Sequence, residues 1–421
     1  MGPSISGGGM LNFRVLLAGA ICAAGSGFAG PIPQDGPVHI SPITQVQTAN
    51  QGFNAWIFGF RNRATRQGIL EATFDAAFDG ITYNTTVIDR DRNQSEFTKS
   101  LWDYLDTAVS DARVRNGRRA LADNMQLLNR IEQTFGVDKE VVVAIWGLES
   151  AYGAVRGSTN VIGAMATLAY DGRRGAFFEQ QLIAALQILQ AGDTAPRNMT
   201  GSWAGAMGHT QFMPTSFLEY AVDGNGDGRR DIWADDPTDA LASTANYLRS
   251  FGWVQGQPWG IEVQIPQGFD YATAQRGNEK LPSEWATIGV VDMAGRAVPD
   301  HEAASILLPA GAMGAAFMIF PNFEVIERYN TADAYVIGVG ILSDRIAGGG
   351  PIETTWPRDD RVLNGAERVE LQERLTAAGF DTLGIDGRIG PLTINAIRTY
   401  QLASDIIPDG YASLRLLNRL R

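Results

Sequence analysis

The chain has one cysteine and three histidines in 421 residues. Cys22 lies inside an apolar N-terminal run, so the rest of the chain carries no thiol and can form no disulfide. His39, His209 and His301 are far apart, which leaves little material for histidine metal cages or serine–histidine triads. Basic surplus is missing too. Lys and Arg number 34 against 46 Asp and Glu, and a net charge of -12 argues against nucleic acid as a partner, because phosphate neutralisation needs a basic surface. Beyond the N-terminus no apolar run is long enough to span a bilayer. The chemistry left to this chain runs on carboxylates and hydroxyls.

What is present reads as a folded chain of two or three domains: 45% of residues are hydrophobic and 19% charged. Arg14 precedes the apolar run Val15 to Ala24, and Gly27-Phe28-Ala29 offers small residues, so residues 1–29 read as a secretory signal cleaved after Ala29. Met10 is an alternative start. Gly19-Ala20-Ile21 ahead of Cys22 does not match a lipid-attachment box, which disfavours a lipoprotein and favours a periplasmic protein free of lipid. Residues 30–50 are rich in Pro and Gln and read as an extended lead-in segment.

From about Gln51 to Phe251 the apolar spacing is helical, and from Trp253 to about Val325 it shifts toward strands and turns. Helical spacing returns from Ala332. Gly348-Gly349-Gly350-Pro351, followed by Trp356-Pro357, reads as a linker over 346–364. The remainder, 365–421, contains two similar helix-turn units, each with an Asp-Gly turn: Asp386-Gly387 and Asp409-Gly410. A plain helical appendage is the alternative reading of this segment.

The stretch Ala144-Ile145-Trp146-Gly147-Leu148-Glu149-Ser150-Ala151-Tyr152-Gly153 puts one carboxylate at the end of an otherwise apolar helix. Asp138 is placed to cap that helix, Val142, Ile145 and Trp146 precede Glu149 at helical spacing, and Gly153 is placed to end it. Burial on the core face disfavours the charged form of Glu149 and suits a general acid working near neutrality. A buried glutamate paired with an arginine reads equally well from this stretch alone.

Three further segments carry polar side chains in suggestive patterns. From Ser202 to Phe217, glycines around Met207 allow close backbone approach, while Ser202, Thr210 and Gln211 donate and accept, which suits a sugar. A glycine-rich loop feeding a proline-started helix is the plainer reading. Asp223, Asn225, Asp227, Arg229 through its carbonyl, and Asp231 take alternate positions of a calcium loop, with the required glycine at Gly228. Ala234 stands where the bidentate Glu is expected, so Asp235, Asp236 or Asp239 must close the shell; a solvated acidic turn is the alternative. Tyr329, Asn330 and Tyr335 form a third cluster able to stack on a sugar and bond its hydroxyls, although tyrosines at such spacing also build cores.

As a set, Glu149 to Gly153, Ala204 to Pro214, and Asn330 with its tyrosines resemble the lytic murein transglycosylases of the B type, secreted enzymes that act on peptidoglycan glycan strands. The C-terminal segment is similar to a peptidoglycan-binding domain through Leu371-Gln372, Asp386-Gly387, Gly390, Thr393, Ala396, Gln401 and Asp409-Gly410. The resemblance implies a mainly α (α+β) fold: a lysozyme-like helical catalytic domain over 51–345 and a small helical domain over 365–421. The first would include a small β subdomain over about 254–325 and an EF-hand-like loop over 223–239.

It further implies Glu149 as the single catalytic acid and base, and a sugar cleft lined by Ser202, Gln211, Phe212, Tyr247, Tyr329, Asn330 and Tyr335. Arg173 and Arg174 would lie near the peptide side. No organic cofactor is implied, but one structural calcium is, with Asp239 as the closing ligand. The stretch from Trp233 to Asp239 is about two residues longer than the family pattern. The implied reaction cleaves the β-1,4 bond between N-acetylmuramic acid and N-acetylglucosamine and closes a 1,6-anhydro ring. A lysozyme-like muramidase and a non-catalytic wall-binding scaffold remain the rival readings.

Overall fold

The computed structural model describes residues 42–93 and 100–421. The expected signal at 1–29, Cys22 and the lead-in segment as far as residue 41 lie outside the described residues. The rest of that segment corrects the expectation of extended chain, because the first helix, α1 (Pro42–Arg66), already covers it. Proline's fixed φ suits a first helical turn.

Ten more helices build the body: α2 (Glu71–Phe78), α3 (Thr85–Arg92), α4 (Leu101–Ala108), α5 (Asp111–Asp123), α6 (Met125–Phe135), α7 (Lys139–Ser150), α8 (Val161–Asp171), α9 (Gly175–Ala191), α10 (Pro214–Tyr220) and α11 (Thr238–Ser250). Short polar side chains set several starts. Asn84, Ser100, Ser110 and Asn160 each accept the backbone N–H three residues on, which satisfies a donor the helix itself leaves unpaired.

Helix α7 is central: Val141 through Gly147 are all buried, packed against α5, α6 and α11. Its stability comes from that packing, and Ile145→Ala would cost about 2–5 kcal/mol. Both of its expected ends are corrected. Asp138 precedes the helix, but its carboxylate accepts from Trp253 Nε1 at 2.9 Å and from the Gly256 N–H instead of capping. The helix stops at Ser150, before Gly153, because Ala151 and Tyr152 already take left-handed φ values of 50° and 60°.

A four-stranded antiparallel sheet follows in the order β4-β3-β6-β5, after the two-residue pair β1 (Thr159–Asn160) and β2 (Thr200–Gly201). Its strands are β3 (Gly260–Gln264), β4 (Val291–Asp292), β5 (Ser305–Leu307) and β6 (Ala316–Ile319), with α12 (Pro282–Thr287) between β3 and β4 in sequence. Val263, Trp285, Ile306, Met318 and Phe320 form the subdomain's own core. Strand character ends sooner than expected, because Pro321 opens α13 (Pro321–Tyr329) and buries Phe323 and Ile326 at helical spacing. Helix α14 (Asp333–Ala347) then packs along α7.

The expected linker is fastened to the body. α14 takes its first two residues, and the N–H groups of Glu353 and Thr354 each donate to the Glu262 carboxylate at 2.8 Å. Arg358 pairs with Asp106 at 2.8 Å, and Trp356 lies 6.5 Å from Trp102.

The last unit holds α15 (Gly365–Ala377), α16 (Pro391–Ala403) and α17 (Leu414–Leu420) around Leu371, Leu375, Ile397, Leu416 and Leu417. Its internal repeat has a physical cause: one buried glutamine clamps each Asp-Gly turn. Gln372 Oε1 accepts from the Gly387 N–H at 2.8 Å, and Gln401 Oε1 from the Gly410 N–H at 2.8 Å. Asp409 also accepts the Ala312 N–H at 2.9 Å and so docks this unit on the β subdomain. Gly311 allows that approach: its φ is +65°, and a Cβ there would meet Asp409 Oδ2 at 2.5 Å.

Candidate active site

The last turn of α7 presents Glu149 to a cleft, where the side chain keeps some solvent contact although protein crowds it. Tyr335, in the first turn of α14, donates its hydroxyl to Glu149 Oε1 at 2.6 Å. Burial pushes the Glu149 carboxyl up to about 7, while the bond from Tyr335 pulls in the opposite direction. No arginine pairs with Glu149 among the described residues, so the ion-pair reading fails. A raised carboxyl alone does not mark a site: burial also lifts Asp344 to about 6, where Trp259 Nε1 donates to it at 2.8 Å and it supports packing.

The turn after Glu149 is locked to the glycine-rich loop. Ser150 Oγ donates to the His209 carbonyl at 2.5 Å and accepts from the Gly153 N–H at 2.9 Å. Gly153, at φ +85°, leaves room for the His209 ring, which a Cβ would meet at 2.6 Å. His209 is structural: Trp146 Nε1 donates to its Nδ1 at 3.1 Å, and its Nε2 faces the Ala234 carbonyl at 2.8 Å. Sequence reasoning missed Arg113, whose guanidinium donates to the Gly147 carbonyl and whose own carbonyl accepts from Tyr152 at 2.8 Å. A cation at the C-terminal end of α7 suits the helix dipole and holds the turn that carries Glu149.

Of the expected sugar-cleft residues, Gln211, Phe212, Tyr247, Tyr329 and Asn330 line the cavity around Glu149. Gln211 has φ +55°, and its Nε2 donates to the carbonyls of Arg156 at 3.0 Å and Gly208 at 2.9 Å. Its Oε1 has no protein partner among the described residues and is left as an acceptor. The rings of Phe212, Tyr247 and Tyr329 pack edge to face, with centroids 4.9 to 5.9 Å apart. Their hydroxyl chemistry corrects the expectation, because Tyr329 donates to the Thr210 carbonyl and Tyr247 to the Arg328 carbonyl, each at 2.6 Å. Tyr335 spends its hydroxyl on Glu149. Tyr247 and Tyr329 therefore offer ring surface to a ligand, and the tyrosine hydroxyls rigidify the wall.

Four expected residues are absent from the lining: Tyr335, which is buried and meets the site through its bond to Glu149, and three that fall elsewhere. Ser202 does not line the cavity; its Oγ accepts the Ala206 N–H at 3.0 Å and shapes the loop. Arg173 and Arg174 both bind the buried carboxylate of Asp91, at 2.7 and 2.6 Å, and are absent from the lining. Phe177, Gln181, Met213, Thr215, Ser216, Arg328 and Thr331 line the cavity and were missed as site residues, although Met213, Thr215 and Ser216 lie inside the marked Ser202–Phe217 segment and Arg328 and Thr331 adjoin Tyr329 and Asn330.

In the acidic loop, Asp223 Oδ1 accepts the Gly226 N–H at 2.6 Å and its Oδ2 the Gly228 N–H at 2.8 Å. Of the three candidates for closing ligand, Asp235 pairs with Arg156 at 2.8 Å and Asp236 bonds Thr238. Asp239 alone reaches back, to the N–H groups of Gly224 at 2.9 Å and Asp231 at 2.8 Å. It is only 2% exposed, and burial raises its carboxyl, with Asp223 adding to the effect. An oxygen-only donor set with a buried carboxylate suits calcium in kind. Among the described residues, however, no three acidic, histidine or cysteine side chains stand together as a ready metal cage.

One acid in an aromatic cleft at the end of a buried helix is an arrangement that suits glycan cleavage of the lysozyme-like type. The chain belongs to the transglycosylase SLT family, whose model matches residues 52–344, and a putative peptidoglycan-binding domain matches 364–420. It is similar to membrane-bound lytic murein transglycosylase B of Escherichia coli (strain K12), 34% identical over 251 residues, which covers 58% of this chain and 66% of that protein, just short of two thirds. Among solved structures it resembles SltB3 of Pseudomonas aeruginosa in complex with NAG-anhNAM-pentapeptide, with TM-score 0.85 and 48% identity over 88% of this chain and 99% of that one. Escherichia coli Slt35 in complex with calcium matches with TM-score 0.59 and 30% identity over 71% of this chain and 93% of that one.

Proposed function

We propose that this chain is a lytic transglycosylase of the bacterial wall that uses Glu149 as acid and then as base. Protonated Glu149 donates to the oxygen of the leaving N-acetylglucosamine as the bond to C1 of N-acetylmuramic acid breaks. The C6 hydroxyl of the same muramic acid attacks C1, and its proton returns to the Glu149 carboxylate. The carboxyl is restored, a 1,6-anhydro ring is closed and no water is consumed.

The observation that carries this reading is that, among the described residues, Glu149 is the one carboxylate lining the cleft, with its carboxyl near 7. A hydrolase of the usual kind needs a second carboxylate to activate water or to act as nucleophile. Digestion of purified sacculi in ¹⁸O-labelled water tests it. Products free of the label support transglycosylation, and a label at the new chain ends means hydrolysis.

Around this step the body over 51–345 acts on the glycan and the unit over 365–421 binds the wall. Export to the periplasm fits that substrate, and no helix among the described residues is long and apolar enough to cross a membrane. Structural calcium belongs to the same proposal: Asp223, Asn225, Asp227, the Arg229 carbonyl, Asp231 and Asp239 would hold it, and Slt35 supplies a relative in complex with calcium.

A further inference from the structure

Arg328 lies in the last turn of α13, one residue before Tyr329, is exposed, and is one of the residues that line the cleft holding Glu149. Two contacts set its position: Tyr247 donates to its carbonyl at 2.6 Å, and its guanidinium lies 5.9 Å from the Phe251 ring centre.

What distinguishes it is that, among the described residues, it is the one basic residue of the cleft lining, and it has no carboxylate partner there. Nearby cations are committed: Arg156 to Asp235, Arg173 and Arg174 to Asp91, Arg230 to Asp193, and Arg276 to Glu327 and Asp333. Arg328 makes no ion pair among the described residues, in a chain whose acids outnumber its bases by 12. Placement at the end of α13 suits a cation, but does not account for its standing at the cleft without an acid beside it. Where a peptide is attached, the lactyl carboxyl of muramic acid is tied up in an amide, and the free carboxylates are carried by the peptide. A planar guanidinium binds a carboxylate through two parallel hydrogen bonds.

We propose that Arg328 is a specificity determinant that binds a carboxylate of that peptide, so that the cleft favours peptide-bearing over peptide-stripped glycan. The assignment rests on the glycan-cleaving reading above. Its test compares kcat/KM on peptide-bearing strands and on strands stripped by an amidase whose freed lactyl carboxylates have been capped as methyl amides, for wild type, Arg328→Gln and Arg328→Lys. The ratio between the substrates is the readout, because general damage to the protein lowers both rates together. In Arg328→Gln the ratio falls about tenfold or more, the scale of one lost charge-assisted hydrogen bond, and Arg328→Lys keeps an intermediate ratio. High salt erodes the wild-type preference and leaves that of Arg328→Gln unchanged. An unchanged ratio in Arg328→Gln overturns the assignment while leaving glycan cleavage intact. A wild type that cleaves neither substrate overturns both.

Discussion

The Tyr335 hydroxyl donates to Glu149 Oε1 at 2.6 Å across 186 residues of sequence, and so couples the start of α14 to the end of α7. The bond favours the ionised carboxyl and anchors Oε1. Tyr335→Phe is expected to lower kcat ten- to a hundredfold through lost positioning. It also lets burial act unopposed, so the falling limb of the pH–rate profile moves to higher pH. A pH profile of the variant checks this, and an unmoved limb would mean the bond does not tune the acid.

Glu149 also links activity to stability. Its carboxyl lies near 7 in the folded chain and near the ordinary 4.5 when unfolded. Between those values the folded state keeps a proton that the unfolded state releases, so this group's contribution to stability falls as pH rises from 4.5 to 7. Glu149→Gln removes the penalty. The variant is expected to be more stable than wild type at pH 8, by about 1–3 kcal/mol, and equal to it near pH 4. Denaturant unfolding at the two pH values measures the difference.

Asp239 should make calcium a stabiliser. An ion bound only by the native loop raises stability by mass action, about 2.7 kcal/mol at a hundredfold excess over Kd. Excess chelator is expected to lower the Tm of wild type, and Asp239→Asn to melt at a temperature that chelator no longer changes. Scanning calorimetry with and without calcium decides it; a wild-type Tm that ignores chelator removes the metal from the account.

Much of this arrangement was legible because it is local. Glu149 on an apolar helix, the glycine-rich loop and the paired Asp-Gly turns all carry their signal within a few residues. Two things were not. The ends of α7 depend on distant partners: Trp253 draws the Asp138 carboxylate away from the helix, and left-handed Ala151 and Tyr152 break a segment whose only glycine stop comes later. The cleft depends on long-range contacts. Nothing near Arg173 and Arg174 in sequence announces Asp91, and nothing beside Tyr329 or Tyr247 says that their hydroxyls bind backbone carbonyls. Arg328, next to a tyrosine the sequence had marked, passed unnoticed because a lone basic residue near a helix end is ordinary.

The central claim is that Glu149 alone runs both proton transfers, and mass spectrometry of the fragments released from purified sacculi tests it most directly. Wild type should release muropeptides lighter by one water than hydrolysis products, and Glu149→Gln should release almost none. Water-containing ends from wild type, or undiminished anhydro products from Glu149→Gln, would contradict the account.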